Sequence, residues 1–334
     1  MRFTFKHLMF LLAFGANLFA WGQPVLVLSY HRFNEHQYPE SNISDELFEA
    51  HIKMLQDHNF EFIKASEITE YIHKDLDHPV VSITIDDGFK SMYDVAWPII
   101  QRNHIPITAF IVSSFIEARQ PDYVSWDHLN EMVSSGLVEI GGHTYSHPNL
   151  AQLSPERIMQ ELITNRRVLK DKLGTDIKVF AFPYGGASKA LMPMLKQQGF
   201  NMAFGQHSGF VTTESYAYYV PRFPMNNVYG SNNRFKSILS YQPLEVVNDA
   251  PYDPWWANTK TIDIQWKDAI KDQVTCYQAN GSQPLISWRD EYQMTITPLD
   301  LSTGFNRINC THRDDLGHWH WYGMQFYKPK RKES

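Results

Sequence analysis

Four apolar runs, each followed by a stretch with helical spacing, constrain this chain more than any other feature. Val25 to Tyr30 is a continuous apolar run, as expected of a strand covered on both faces, and Val80 to Ile85, Ile107 to Val112 and Lys178 to Phe182 read as further strands. The stretches between them have readable helix ends. Ser44-Asp45-Glu46 is an N-cap followed by acidic residues, and Leu47, Phe48, His51, Met54 and Leu55 then recur at helical spacing. Trp126 to Ser135 ends at Gly136. Ser154-Pro155-Glu156 opens a long helix that closes at Gly174, and Leu191 to Gln198 closes at Gly199. This repetition predicts parallel strands with helical crossovers, as a barrel or an open sheet, from Pro24 to about residue 240.

The pattern changes near residue 245. Asp249 to Trp256 reads as a linker or irregular entry segment. Beyond it, Thr261 to Trp266, Tyr292 to Thr297 and Trp319-His320-Trp321 alternate at period two, and Asn280-Gly281 is a hairpin-turn signal. Residues 246–334 therefore read as a small antiparallel β domain, sandwich-like, behind a βα domain over 23–245. At the other end, Arg2 and Lys6 precede an apolar stretch, Leu8 to Ala20, that is short for a membrane span. Ala20-Trp21-Gly22 offers small residues where a signal peptidase reads, so residues 1–22 are expected to be a signal peptide, an uncleaved anchor being the alternative. The mature chain is then periplasmic or secreted. In an exported chain the only two cysteines, Cys276 and Cys310, predict one disulfide, two buried thiols being the alternative. A net charge of -6, with no long basic run before Lys328 to Lys332, argues against a nucleic-acid partner.

The second apolar run ends in Asp86-Asp87-Gly88. His143-Thr144-Tyr145-Ser146-His147 follows another short apolar run, Leu137 to Ile140. One carboxylate plus two imidazoles is an ordinary ligand set for a catalytic zinc-type ion, with a position left for water. Successive strand residues point to opposite faces, so Asp86 and Asp87 need not compete: one can bind metal while the other faces the reacting water. Taken singly, each segment has a plainer reading. Asp-Asp-Gly is also a turn after a strand, and a histidine pair is also a surface or core feature.

Together the two segments resemble the first two motifs of the NodB-type polysaccharide deacetylases, carbohydrate esterase family four. Thr84-Ile85-Asp86-Asp87-Gly88 matches Thr-Phe-Asp-Asp-Gly, and His143 to His147 matches His-Ser/Thr-x-x-His. The resemblance spans roughly residues 24–240. It implies a deformed (β/α) barrel and removal of acetyl groups from an N-acetylated polysaccharide with one divalent ion, zinc first and cobalt or nickel as alternatives. Asp86 would be the general base, and Asp87, His143 and His147 the metal ligands. The third motif, Arg-x-Pro-Tyr, is matched by Ala181-Phe182-Pro183-Tyr184, which keeps Pro183 and Tyr184 but has Ala181 in the arginine position. Arg222, in Val220-Pro221-Arg222-Phe223, is expected to reach the same space from a later strand end. Tyr184 would offer its backbone N–H to the oxyanion.

The usual late Leu-x-x-x-His motif has no convincing copy near residues 225–245. Instead the first strand ends in Tyr30-His31, similar to the branch that deacetylates biofilm poly-N-acetylglucosamine. His31 is thus the first candidate for the general acid and His207 the second. Trp126, Tyr145 and Pro183 are candidate substrate contacts. Two other readings stand beside N-deacetylation: an O-acetyl polysaccharide esterase, or a catalytically weak carbohydrate-binding protein on the same fold. Trp255, Trp256, Trp288, Trp319 and Trp321 would either stack on sugars or fill a small core and its seam with the barrel. A Ser-His-Asp hydrolase is disfavoured, because no Gly-x-Ser-x-Gly elbow is present.

Overall fold

The computed structural model describes residues 23–247, 253–256 and 261–330. The expected signal peptide lies outside the described residues, as does the first part of the segment from Asp249 to Trp256. Six strands run parallel in sequence order: β1 (Val25–Tyr30), β2 (Val80–Asp87), β3 (Ile107–Ile111), β4 (Val138–Gly142), β5 (Val179–Ala181) and β6 (Met202–Phe204). The helices between them are α1 (Asp45–Asp57), α2 (Trp97–Asn103), α3 (Trp126–Ser134), α4 (Pro155–Leu173) and α5 (Met192–Gln197), with α6 (Asn232–Ser240) following β6. Their ends obey the local rules read from the sequence. Ser44 Oγ accepts the Leu47 amide at 3.2 Å, Pro155 occupies the first turn of α4, and Gly174 closes α4 with φ +65°.

The sheet curls until its edges nearly meet. Val220 bridges to Phe204 on β6, while Phe223 and Pro224 pair with Leu28 and Ser29 on β1. Residues 220–224 therefore close the curve with irregular chain where a regular barrel has a strand, which is the expected deformed barrel. Alternate residues divide between two cores. Val25, Val27, Val80, Phe110, Ala181, Phe204 and Val220 cluster together on the inner face. Leu26, Leu28, Val81, Ile83 and Ile85 pack outward against the helices. Gly141 on β4 is required by this packing, since a Cβ there would lie 2.4 Å from the Phe110 ring.

One buried polar group adds a pH dependence. His51, on the inner face of α1, is fully buried and stacks on Phe235 with ring centroids 3.8 Å apart. Its Nε2–H donates to the Gly230 carbonyl (2.6 Å), so Nδ1 accepts from the Tyr30 hydroxyl (2.9 Å) and the ring is neutral. Burial pushes its pKa down to about 4. The unfolded chain then binds the extra proton first as pH falls. The stabilisation is complete above the unfolded value of about 6.5 and is lost on going down to about 4. The expected loss is roughly 3 kcal/mol. Urea denaturation across that range checks it: His51→Phe should flatten this part of the slope, and an unchanged slope contradicts the assignment.

The C-terminal region is two antiparallel sheets face to face. Its strands are β7 (Ile262–Gln265), β8 (Val274–Gln278), β9 (Leu285–Trp288), β10 (Gln293–Thr297), β11 (Gly304–Arg313) and β12 (Trp319–Lys328). One sheet has the order β7-β10-β9. The other is β8-β11-β12, extended by Gln242–Pro243 pairing with β12, so the chain joins this sheet just before residue 246. Ile262, Ile264, Met294 and Ile296 from the first sheet share one core with Cys276, Ile308, Cys310, Met324 and Phe326 from the second. Cys276 and Cys310 sit opposite one another on β8 and β11 and form the expected disulfide.

Asn280-Gly281 does make a turn, with Gly281 at φ +84°, but not a hairpin. β8 pairs with β11 and β9 with β10, so the turn carries the chain from one sheet to the other. Turn chemistry is local, whereas partner choice follows which faces bury Val274 and Cys276. Three of the five noted tryptophans pack at the sandwich edge or its seam with the barrel. Trp321 stacks on Tyr241 and donates to the Ser208 carbonyl, Trp255 stacks on Tyr327, and Trp256 packs edge-on against Phe326. Trp288 lies half-buried against the core, and Trp319 is 46% exposed. Among the described residues no helix is long and apolar enough to cross a membrane.

Candidate active site

The site forms at the C-terminal end of β2. Val80, Ser82, Thr84 and Asp86 alternate onto the inner face of the sheet, so Asp86 enters the barrel mouth fully buried. Asp87 departs from the strand with φ +74°, and Gly88 follows at φ +81°. This left-handed pair turns the Asp87 carboxylate away from its neighbour, toward the loop after β4. Asp87 Oδ1 lies 3.2 Å from His143 Nε2 and 3.1 Å from His147 Nε2.

That histidine loop is held from behind by α4. Glu161 and Asn165 are one turn apart and share a helix face. Glu161 accepts from the Ser146 amide (2.8 Å) and hydroxyl (2.7 Å). Asn165 accepts from the His143 amide (3.3 Å) and donates to the Ile111 carbonyl (3.0 Å), tying the loop to β3. His143 Nδ1 lies 2.7 Å from the Ala181 carbonyl, which can only accept, so the proton is on Nδ1 and Nε2 presents a lone pair. The ligand atoms of Asp87, His143 and His147 lie within 4.8 Å of one another, the arrangement that can hold a metal ion. Two imidazole nitrogens and one carboxylate oxygen, with an orienting carbonyl behind one ring, fit a divalent ion of the zinc type.

Arg222 occupies the place the sequence left open at Ala181. Its Nη1 donates to Asp86 Oδ1 (2.7 Å) and its Nη2 to Asp86 Oδ2 (2.8 Å). Nη1 also donates to Thr84 Oγ1 (3.0 Å), and Nε to the Gly205 carbonyl (2.9 Å). It comes from the irregular segment that closes the barrel, which is why it can cross to β2. Both partners are fully buried. Burial pushes the Asp86 carboxyl upward, but Arg222, His31 and His143 outweigh it and hold the group below its ordinary value.

The two candidate acids separate cleanly. His31 Nε2 is 3.6 Å from Asp86 Oδ2 and 3.4 Å from Gln206 Nε2, and the ring faces the cleft. Burial lowers its pKa, against the pull of Asp86 and Asp87. His207 is buried away from the cleft against Tyr219, with ring centroids 4.5 Å apart. Its Nδ1 has no partner among the described residues, and burial pushes its pKa down to about 3. Tyr184 sits in the left-handed region (φ +59°) with its ring edge-on to His147 at 4.6 Å.

A cleft of 560 Å³ opens over these groups, walled by Tyr38, Phe89, Phe115, Tyr123, Tyr184 and Tyr229. Such faces suit sugar rings. The expected contacts Trp126, Tyr145 and Pro183 are not in this wall. Trp126 is the first residue of α3 and packs on the core, Tyr145 lies beside the Glu117 carboxylate, and Pro183 is buried in the turn before Tyr184. Aromatic identity and nearness to a motif do not say which way a loop side chain turns. Gln206 and Arg307 also line the cleft. Neither was a candidate: Gln206 stands beside His207 in the sequence, and Arg307 lies 85 residues after Arg222 in another sheet.

The profile of the polysaccharide deacetylase family matches residues 73–203. Those residues carry the chain's likeness to that family. Outside that span the likeness continues. Poly-beta-1,6-N-acetyl-D-glucosamine N-deacetylase of Staphylococcus aureus (strain MRSA252) is 27% identical over 223 residues, covering 59% of this chain and 77% of the relative. Among solved structures, IcaB from Ammonifex degensii is 25% identical, with a TM-score of 0.55 over 64% of this chain and 97% of that one. The Streptococcus pyogenes deacetylase PplD in complex with acetate shares the fold, with a TM-score of 0.60 at 18% identity over 65% of this chain and 97% of that one.

Proposed function

We propose that this protein is an exported, metal-dependent N-deacetylase acting on a poly-β-1,6-N-acetylglucosamine-type polymer and releasing acetate. The observation that carries the reading is Asp86, clamped by Arg222 beside the Asp87–His143–His147 trio at the floor of an aromatic cleft. Names of the relatives support the polymer, and the leader-like residues 1–22 support export. The catalytic unit is residues 23–245, and the described part of residues 246–334 packs on it and supplies Arg307 to the cleft wall.

Asp87, His143 and His147 would hold the ion, for which zinc suits the donor set. When bound, it supplies Lewis acidity and a more acidic water. The remaining work falls to the chain's own groups. Asp86 takes a proton from the water that attacks the acetyl carbonyl, while Arg222 fixes both carboxylate oxygens in place. The backbone N–H of Tyr184 donates to the developing oxyanion. His31 delivers a proton to the leaving amine. Its lowered pKa leaves it neutral at the outset, and its 3.6 Å separation from Asp86 lets the proton taken from water pass to it. The balance closes: water gives hydroxyl to the acetyl carbon and hydrogen to the amine, yielding acetate and a free amino sugar.

Acetate release from β-1,6-linked N-acetylglucosamine oligomers, chitin oligomers, peptidoglycan and acetylated xylan tests the reading, with zinc added and after chelation. Release from the β-1,6 oligomers, lost on chelation and restored by zinc, is expected. Release from acetylated xylan alone would favour the O-esterase. Silence on every substrate in the metal-loaded protein would leave the carbohydrate-binding reading.

A further inference from the structure

We propose that Arg307 makes the cleft select a polymer whose sugar next to the reacting one is still N-acetylated, over one carrying an ammonium there; this rests on the function proposed above. Arg307 lies on β11, directly opposite Gln325 on β12, and its Nε donates to Gln325 Oε1 at 3.0 Å. Gln325 Nε2 in turn donates to the Tyr184 carbonyl at 2.7 Å. Phe305, two residues before Arg307 and therefore on the same strand face, has its ring centroid 6.2 Å from that of Tyr184. The sandwich is thus hooked onto the turn beside the metal trio, and it places one guanidinium in the cleft wall.

The charge state of that guanidinium sets it apart. Arg222 is matched by Asp86, and Arg32, also in the cleft wall, is matched by Glu35 and lies between the Tyr38 and Phe89 rings. No carboxylate among the described residues lies within 4.0 Å of Arg307. The titratable groups near it are Tyr219, whose hydroxyl donates to the Gly185 carbonyl, Tyr229 and the buried His207, and its terminal nitrogens have no acceptor among the described residues. The other acidic groups of the cleft are Asp87, committed to the two imidazoles, and Glu40, exposed at the rim.

A guanidinium is a donor with no accepting atom. An acetamido carbonyl, a hydroxyl or a ring oxygen satisfies it. An ammonium also only donates and carries the same sign of charge, so the pair is opposed on both counts in a site partly shielded from water. Each turnover leaves an ammonium on the polymer. A cleft that disfavours an ammonium at the adjoining position spreads its products along the chain instead of producing a block.

The test compares a β-1,6-linked N-acetylglucosamine tetramer with the same tetramer carrying one glucosamine. Acetate release gives the ratio of kcat/KM, and calorimetric binding to Asp86→Asn gives the ratio of affinities without turnover. The acetylated tetramer should be preferred by roughly 10- to 100-fold. Arg307→Met should bring both ratios toward one, and Arg307→Lys, which keeps the charge, should retain most of the preference. Equal use of the two tetramers by the native protein, or a preference that survives Arg307→Met, overturns the inference. If neither tetramer yields acetate, the function proposed above fails, and the binding ratio still decides the role of Arg307.

Discussion

Asp86→Asn should lower turnover roughly 100- to 10,000-fold, the range for losing one positioned general base. The replacement keeps the shape of the side chain and leaves one oxygen to accept from Arg222. It removes the ability to take a proton. The metal trio is separate in space, because the left-handed turn at Asp87 directs that carboxylate to His143 and His147 while Asp86 faces the barrel interior. Zinc content per chain should therefore stay the same, as should the affinity for an oligomer. Atomic absorption and single-turnover acetate release check the two halves together. Full turnover in Asp86→Asn would remove Asp86 from the mechanism, and loss of zinc would make it a ligand instead of a base.

Arg222→Met should both destabilise the protein and disable the base. Arg222 and Asp86 are fully buried and joined by two short hydrogen bonds. Deleting one member of such a pair leaves the other as an uncompensated charge, at a cost of roughly 3–5 kcal/mol. For a protein of this size that corresponds to a melting temperature lower by roughly 10 °C. With Arg222 gone, burial acts on Asp86 with less opposition and its pKa moves upward, so less of it is ionised to accept a proton. Turnover should fall even where the variant stays folded. The combination Asp86→Asn with Arg222→Met should cost less stability than the two single changes added, because each single change strands its partner. Additive losses would show that the two groups act independently.

The cluster of Asp87, His143 and His147, which could hold a metal ion, was legible because its signals are local. A buried strand ending in Asp-Asp-Gly, and two histidines four apart after another short strand, place donors at the same end of a parallel sheet, here on β2 and after β4 with β3 between them. The helix ends were legible for the same reason, since Ser44, Ser154, Pro155 and Gly174 act on backbone groups within one turn of themselves. The substrate wall was not legible. Trp126 and Tyr145 carry the right chemistry but turn to the core and to Glu117, while Tyr38, Phe89 and Tyr229 form the cleft from loops without periodicity.

What the sequence determined by itself was every feature set by spacing along a few residues: strands, caps, the sandwich pattern and the paired ligand motifs. Only the tertiary structure decided which distant groups meet. Arg222 reaches Asp86 across 136 positions because an irregular segment closes the curled sheet there. His31 rather than His207 faces the cleft, although both histidines lie near strand ends. Arg307 enters the cleft wall because β11 and β12 dock on the turn of Tyr184. These are contacts between surfaces buried against each other, and burial of that kind is fixed by the whole packed fold and not by any stretch of chain within it.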